Sequence, residues 1–136
     1  MRGLPFVLIA LHLLAPRSAL AADEKMLLEL NTAEPTEKNC RVNFVLESKM
    51  SVAIQSLKLD LVAFGTDGAI LQRFLVEMPS LRPAKTTVRS VIFSPECRQL
   101  GAILLNDVTA CAPAEPGACL DALVLSSRLK ELRLYK

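Results

Sequence analysis

The chain has 136 residues, 51% of them hydrophobic and 4% aromatic, with a formal net charge of +2 and one histidine. Arg2, His12 and Arg17 lie in the first 21 residues, which hold no acidic residue, so beyond them 14 basic residues balance 14 acidic ones and no histidine remains. A neutral domain lacks the basic footprint of a nucleic-acid binder, and one without His excludes Ser-His-Asp or Cys-His catalysis and His-containing metal sites.

The N-terminus reads as an export signal. Met1-Arg2-Gly3 supplies positive charge, Leu4 to Ala15 is almost wholly apolar, and Ala19-Leu20-Ala21 precedes Asp23-Glu24-Lys25. That order predicts a cleavable signal peptide over 1–21, ending near Ala21, with an apolar run too short for a membrane anchor. A mature domain of residues 22–136 follows, expected in the bacterial periplasm or secreted. It has no second long apolar run, so no transmembrane segment is expected after signal removal.

Along that domain, Met26 to Leu30 is a short apolar segment, and Asn31 to Asn39, with Pro35, reads as a loop. Cys40, Val42, Phe44 and Leu46 then alternate with Arg41, Asn43 and Glu47, the period-two pattern of a strand with one wet face. Leu57, Leu59, Leu61 and Ala63 repeat it against Lys58 and Asp60. Gly65-Thr66-Asp67-Gly68 supplies the positive-φ glycine of a tight turn, so 54–64 and 69–78 should pair antiparallel. Pro79 and Pro83 mark a loop, and Lys85 to Ser94 is β-branched and aromatic enough for a strand. Leu100 to Val108 reads as a buried central strand that Asn106-Asp107 brings to a turn or cap. Cys111 to Cys119 reads as a loop. Leu120 to Tyr135 can be threaded as helix or as strand, and Ser126-Ser127 favours a break and two short strands.

About seven strands, with turns every eight to twelve residues, predict an all-β, immunoglobulin-like antiparallel β-sandwich. In such a sandwich the second and sixth strands run alike in opposite sheets, so their starts share one end. Cys40 opens the second strand and Cys97 precedes the sixth, while Cys111 and Cys119 flank what reads as a hairpin loop. The expected pairs are therefore Cys40–Cys97 and Cys111–Cys119, in line with an oxidising compartment. On the chain-entropy model the long loop contributes roughly 4 kcal/mol and the short one roughly 2.5 kcal/mol. No C-x-x-C occurs, and the spacing matches no zinc pattern.

The carboxylates Asp60, Asp67, Glu77, Glu96, Asp107, Glu115 and Asp121 show no spacing that marks a catalytic pair, and read as solvated strand faces or turns. Asp107, Glu115 and Asp121 lack the D-x-D-x-D-G string of a calcium loop. The serines have no G-x-S-x-G context. Arg82, Lys85, Arg89 and Arg98 put positive charge around 79–98 and form a candidate surface for an anionic partner.

Leu59-Asp60-Leu61-Val62-Ala63-Phe64-Gly65-Thr66-Asp67-Gly68 resembles the central hairpin of FxLYD-type bacterial sandwich domains, with Ala63-Phe64-Gly65 standing where Leu-Tyr-Asp would be. The stretches Leu28-Glu29-Leu30-Asn31, Cys40-Arg41 and Asn106-Asp107-Val108 and the loop cysteines resemble uncharacterised exported proteobacterial proteins of this size. The resemblance implies an immunoglobulin-like fold and a periplasmic location, and brings no activity or site residues.

The sequence therefore predicts an exported, disulfide-bonded, non-catalytic sandwich without cofactor or metal. It would bind or support a cell-envelope component, such as a protein, through loops or a sheet edge. The alternative is a carrier of small apolar ligands with a pocket between the sheets.

Overall fold

A computed structural model describes residues 24–136; the signal peptide expected over 1–21 lies outside the described residues. The elements in chain order are β1 (Met26–Pro35), β2 (Cys40–Ser48), β3 (Ser56–Gly65), β4 (Ile70–Met78), β5 (Thr86–Phe93), β6 (Leu100–Ala112), α1 (Pro116–Ala122), β7 (Leu123–Ser127) and β8 (Arg133–Tyr135). They build two four-stranded sheets, ordered β5-β2-β1-β7 and β4-β3-β6-β8. The all-β sandwich is thus present, with eight strands rather than seven.

Alternation in the sequence becomes burial in the core. Cys40, Val42, Phe44 and Leu46 of β2 and Leu57, Leu59, Leu61 and Ala63 of β3 are each at most 1% exposed. Burying each leucine or phenylalanine is worth about 1.5–3 kcal/mol. Gly68 takes φ +86° in the turn that pairs β3 with β4 antiparallel, a conformation that costs glycine little. Gly101 is needed for a different reason. A β carbon there would lie 2.9 Å from the Gly65 carbonyl oxygen, where β6 crosses close to β3.

Several segments depart from the sequence reading. The stretch Asn31–Pro35 continues β1 instead of looping: one extra residue at Asn31 shifts the register, and the ladder resumes at Thr32↔Asn43. Its polar side chains serve the sheet's outer face, where the Asn43 amide donates to Thr32 Oγ1 (2.8 Å) and Glu34 Oε1 (3.0 Å). β6 likewise runs through Asn106-Asp107 to Ala112, the shifts against β3 absorbing its extra residues. Bulges allow a strand to carry turn-type residues without ending.

The region between Cys111 and Cys119 is not a hairpin loop. It contains the start of α1, with Pro116 at the first helical position, where a missing N–H costs nothing. The chain then crosses to the other sheet, and β7 pairs parallel with β1. β8 returns to pair parallel with β6, so the sandwich is mixed rather than purely antiparallel. The Leu120–Tyr135 tail resolves into both candidates, the end of a helix and two short strands. The break falls after Ser127, whose hydroxyl donates to the Leu132 carbonyl at 2.6 Å and accepts from the Leu129 N–H at 3.1 Å.

Cys40–Cys97 joins the start of β2 to the 3-10 turn that leads into β6, with Cα atoms 4.7 Å apart, so it ties the two sheets at one end. Cys111–Cys119 ties the end of β6 to α1, with Cα atoms 6.4 Å apart.

Candidate functional site

Seven large hydrophobic side chains are exposed among the described residues, and five belong to β4 or β5: Ile70, Leu71, Leu75, Val88 and Ile92. Both strands are sheet edges, each paired on one side only. They lie along the same flank. At one end Phe74 and Phe93 meet edge to face at 4.8 Å, and the Ser94 N–H donates to Gln72 Oε1 at 2.9 Å. At the other end the 79–85 loop joins them, anchored by fully buried Leu81, which exchanges two 2.8 Å backbone hydrogen bonds with Ile54. The flank therefore presents two open rows of backbone donors and acceptors beside exposed apolar side chains, the arrangement that accepts an added strand.

The four basic residues singled out from the sequence divide. Arg82 and Lys85 are exposed in the loop before β5, where the Lys85 N–H donates to the Arg82 carbonyl at 3.1 Å. Arg89 follows within β5, opposite Phe44 of β2. Because opposed residues share a face, Arg89 stands on the inward side of an edge strand and is nevertheless exposed. Arg98 is placed apart, in the 3-10 turn beyond the far end of β5, with its Nε 2.7 Å from Glu96. The eight residues of β5 put about 25 Å between these ends at the usual rise per residue. Arg82, Lys85 and Arg89 thus share a strand and its approach, and Arg98 does not join them.

The outer face of the other sheet holds a charge cluster that the sequence reading missed. Asp60 was expected on a solvated face, yet it is 4% exposed. Its carboxylate accepts from Arg73 Nε (3.1 Å) and Nη2 (2.7 Å) and from Asn106 Nδ2 (2.7 Å). Asn106 reaches it because the β6 bulge carries this residue out of register between Asp107 and Leu105. The Arg73 hydrogen bonds hold the Asp60 carboxyl below its ordinary range against the opposing effect of burial, and Asp60 in turn raises Arg73. A signal for this was present: Val62 and Phe64 follow Asp60 on the same face, so that face of β3 was never uniformly polar.

The remaining carboxylates are dispersed. Asp67 accepts from the Ala69 N–H in the β3–β4 turn, and Asp107 accepts from the Val108 N–H at the bulge. Among the described residues, no three His, Cys, Asp or Glu side chains gather as metal ligands. Surface clefts of about 400 Å³ lie beside Gly65, Thr66, Arg98 and Gln99 and beside Phe64, Gly101, Arg133 and Tyr135, at an end of the β4-β3-β6-β8 sheet. Between the sheets, Phe44, Phe93, Met26, Leu28 and Leu30 fill the interior at 1% exposure or less. No helix among the described residues is long and apolar enough to cross a membrane.

No family model matches the chain, and no curated protein matches its sequence. Among solved structures it is similar to IrmA from Escherichia coli, with a TM-score of 0.60 and 11% identity. The likeness covers 75% of this chain and 91% of that one. At that identity it shows the sandwich fold alone.

Proposed function

We propose that this protein is an exported, non-catalytic β-sandwich that binds another component of the bacterial cell envelope through the edge of a sheet. The observation that carries this reading is the concentration of exposed large hydrophobics on two adjacent free edges, five of seven among the described residues. The two disulfides fit an oxidising compartment. A relation to FxLYD-type domains belongs to the same proposal.

The β5 edge is the part that suits a foreign partner. An extended segment laid along it gains main-chain hydrogen bonds and apolar contact with Val88 and Ile92. Arg89, pointing inward, opposes an all-apolar strand that would bury it unpaired. It accepts one with a carboxylate at the facing position, and Arg82 and Lys85 extend the same preference, so repulsion of wrong partners supplies specificity. The partner is thus an envelope protein with an acidic extended segment.

Photo-crosslinking in living cells tests this. A crosslinker at Val88 or Ile92 is expected to trap an envelope protein, and Arg82→Glu, Lys85→Glu and Arg89→Glu together should abolish the adduct. Trapping of equal strength from Val124 on β7, or adducts that survive the charge reversal, would sink the reading. A lipid or small molecule retained in native mass spectrometry, with no protein adduct, would replace it with the carrier.

A further inference from the structure

The β4 edge has a property that β5 lacks. Its sequence Ile70-Leu71-Gln72-Arg73-Phe74-Leu75-Val76-Glu77-Met78 carries two opposite charges placed symmetrically about Leu75. We propose that β4 pairs antiparallel with β4 of a second copy, about a two-fold axis at Leu75, joining the two β4-β3-β6-β8 sheets into one of eight strands.

The register follows from the side chains. With Leu75 opposite itself, Arg73 faces Glu77 of the second copy, and Glu77 faces its Arg73. Phe74 and Val76 then face one another across the join on the core side, and the two Leu75 side chains meet on the outer side. Opposite charges and apolar pairs directly across a strand boundary are each favourable, and like charges are unfavourable. Centring the pair on Phe74 or Val76 sets a charge against Leu75. Centring it on Arg73 or Glu77 sets like charges against one another. Only the Leu75 register matches all five residues from 73 to 77.

The charges are also available. Arg73 uses two N–H groups on Asp60, which leaves three of the five that a guanidinium carries, and its side chain is 64% exposed. The Asp60 carboxylate fixes the guanidinium over the outer face, so less freedom is lost when Glu77 of the second copy docks. Glu77 is exposed and makes no ion pair or side-chain hydrogen bond among the described residues. Leu75, at 58% exposed, is the apolar surface that the join covers. No inward-pointing charge guards this edge: Gln72, Phe74, Val76 and Met78 occupy the inner side of β4. The inference goes beyond the β5 reading and does not rest on it.

Sedimentation of the oxidised protein purified from the periplasm tests the pairing. A reversible monomer–dimer equilibrium is expected, and Glu77→Arg should weaken it at least ~10-fold by setting two like-charge pairs across the join. Leu75→Cys is expected to give a covalent dimer with a 75-to-75 bridge in peptide mapping, since directly opposed residues lie within disulfide reach. Ile70→Cys, beyond the register shift at Leu71 and with no strand residue of the second copy opposite it, should give none. Arg89→Glu should leave the dimer unchanged, which separates it from partner binding at β5. A strictly monomeric parent, a Glu77→Arg variant that dimerises like the parent, no 75-to-75 bridge, or a dimer lost on Arg89→Glu would each overturn the proposal.

Discussion

β4 and β5 are alike in length and exposure, and both leave one side of the backbone open. They differ in where their charges point. On β4, Arg73 and Glu77 lie on the outer face with Leu75 between them, and the inward side is apolar apart from Gln72. On β5 the one charge, Arg89, stands on the inward side opposite Phe44. An outward charge can be matched by a neighbour in the same sheet, whereas an inward charge must be desolvated by any strand that covers it. The orientation of a single arginine, more than the amount of charge, therefore decides whether an edge welcomes its own copy or demands a particular partner.

Removing Arg73 breaks this contrast most severely. Arg73→Met keeps much of the stem but leaves the buried Asp60 carboxylate with Asn106 alone. Solvent screens the exposed guanidinium, so the loss is partial and is expected near neutral pH as a lower denaturant midpoint for the dilute monomer. The sign with pH follows from the lowered Asp60 pKa. A depressed carboxyl adds stability that is present above the unfolded value of about 4 and is lost as pH falls through the folded value. The difference between parent and variant should accordingly be full at neutral pH and shrink in acid. A constant difference down to acid would show that Arg73 acts through packing alone.

This cluster also marks what the sequence could and could not disclose. Period-two alternation located β2 and β3 and placed Cys40 and Cys97 at one end of opposite sheets, because burial imposes that period and a sandwich has few ways to bring two strand starts together. The same rule misplaced Asp60, since alternation assigns a face and not its exposure; a long arginine from the neighbouring strand and an asparagine on a bulge supply the burial. Asn31 and Asn106 read as turns because their side chains compete with the backbone in isolation, and only the partner strand shows that a bulge absorbs them. The parallel pairing of β7 and β8 depends on contacts with strands about 30 to 100 residues away, beyond any local pattern. For the site, Arg82, Lys85 and Arg89 were legible as a basic group, but their separation from Arg98 was not.

A milder change removes the guard from β5. Arg89→Val leaves both edges open and apolar, so concentrated protein should scatter light and form species larger than a dimer. The unfolding free energy should move by less than about 0.5 kcal/mol, because Arg89 is exposed. If the variant stays as soluble as the parent, Arg89 does not protect this edge and the contrast with β4 loses its physical basis.

The last change acts on stability alone and leaves both edges as they are, in the loop that joins them. Ala84 takes φ +56°, a left-handed conformation in which a β carbon crowds the following carbonyl. It sits between the turn at Arg82 and the first residues of β5, where the Ser48 N–H donates to the Lys85 carbonyl at 2.9 Å. That hydrogen bond, with the burial of Leu81, holds the strained residue in place. Ala84→Gly relieves the crowding but frees the unfolded chain, so the net gain is expected at about 0.5–1 kcal/mol. Thermal unfolding would read it as a rise of a few degrees. Dimerisation and the β5 adduct should not change, since the loop path is retained. A loss of either on this substitution would mean that the edges depend on a rigid loop to set their relative angle, and that β4 and β5 act together rather than as separate surfaces.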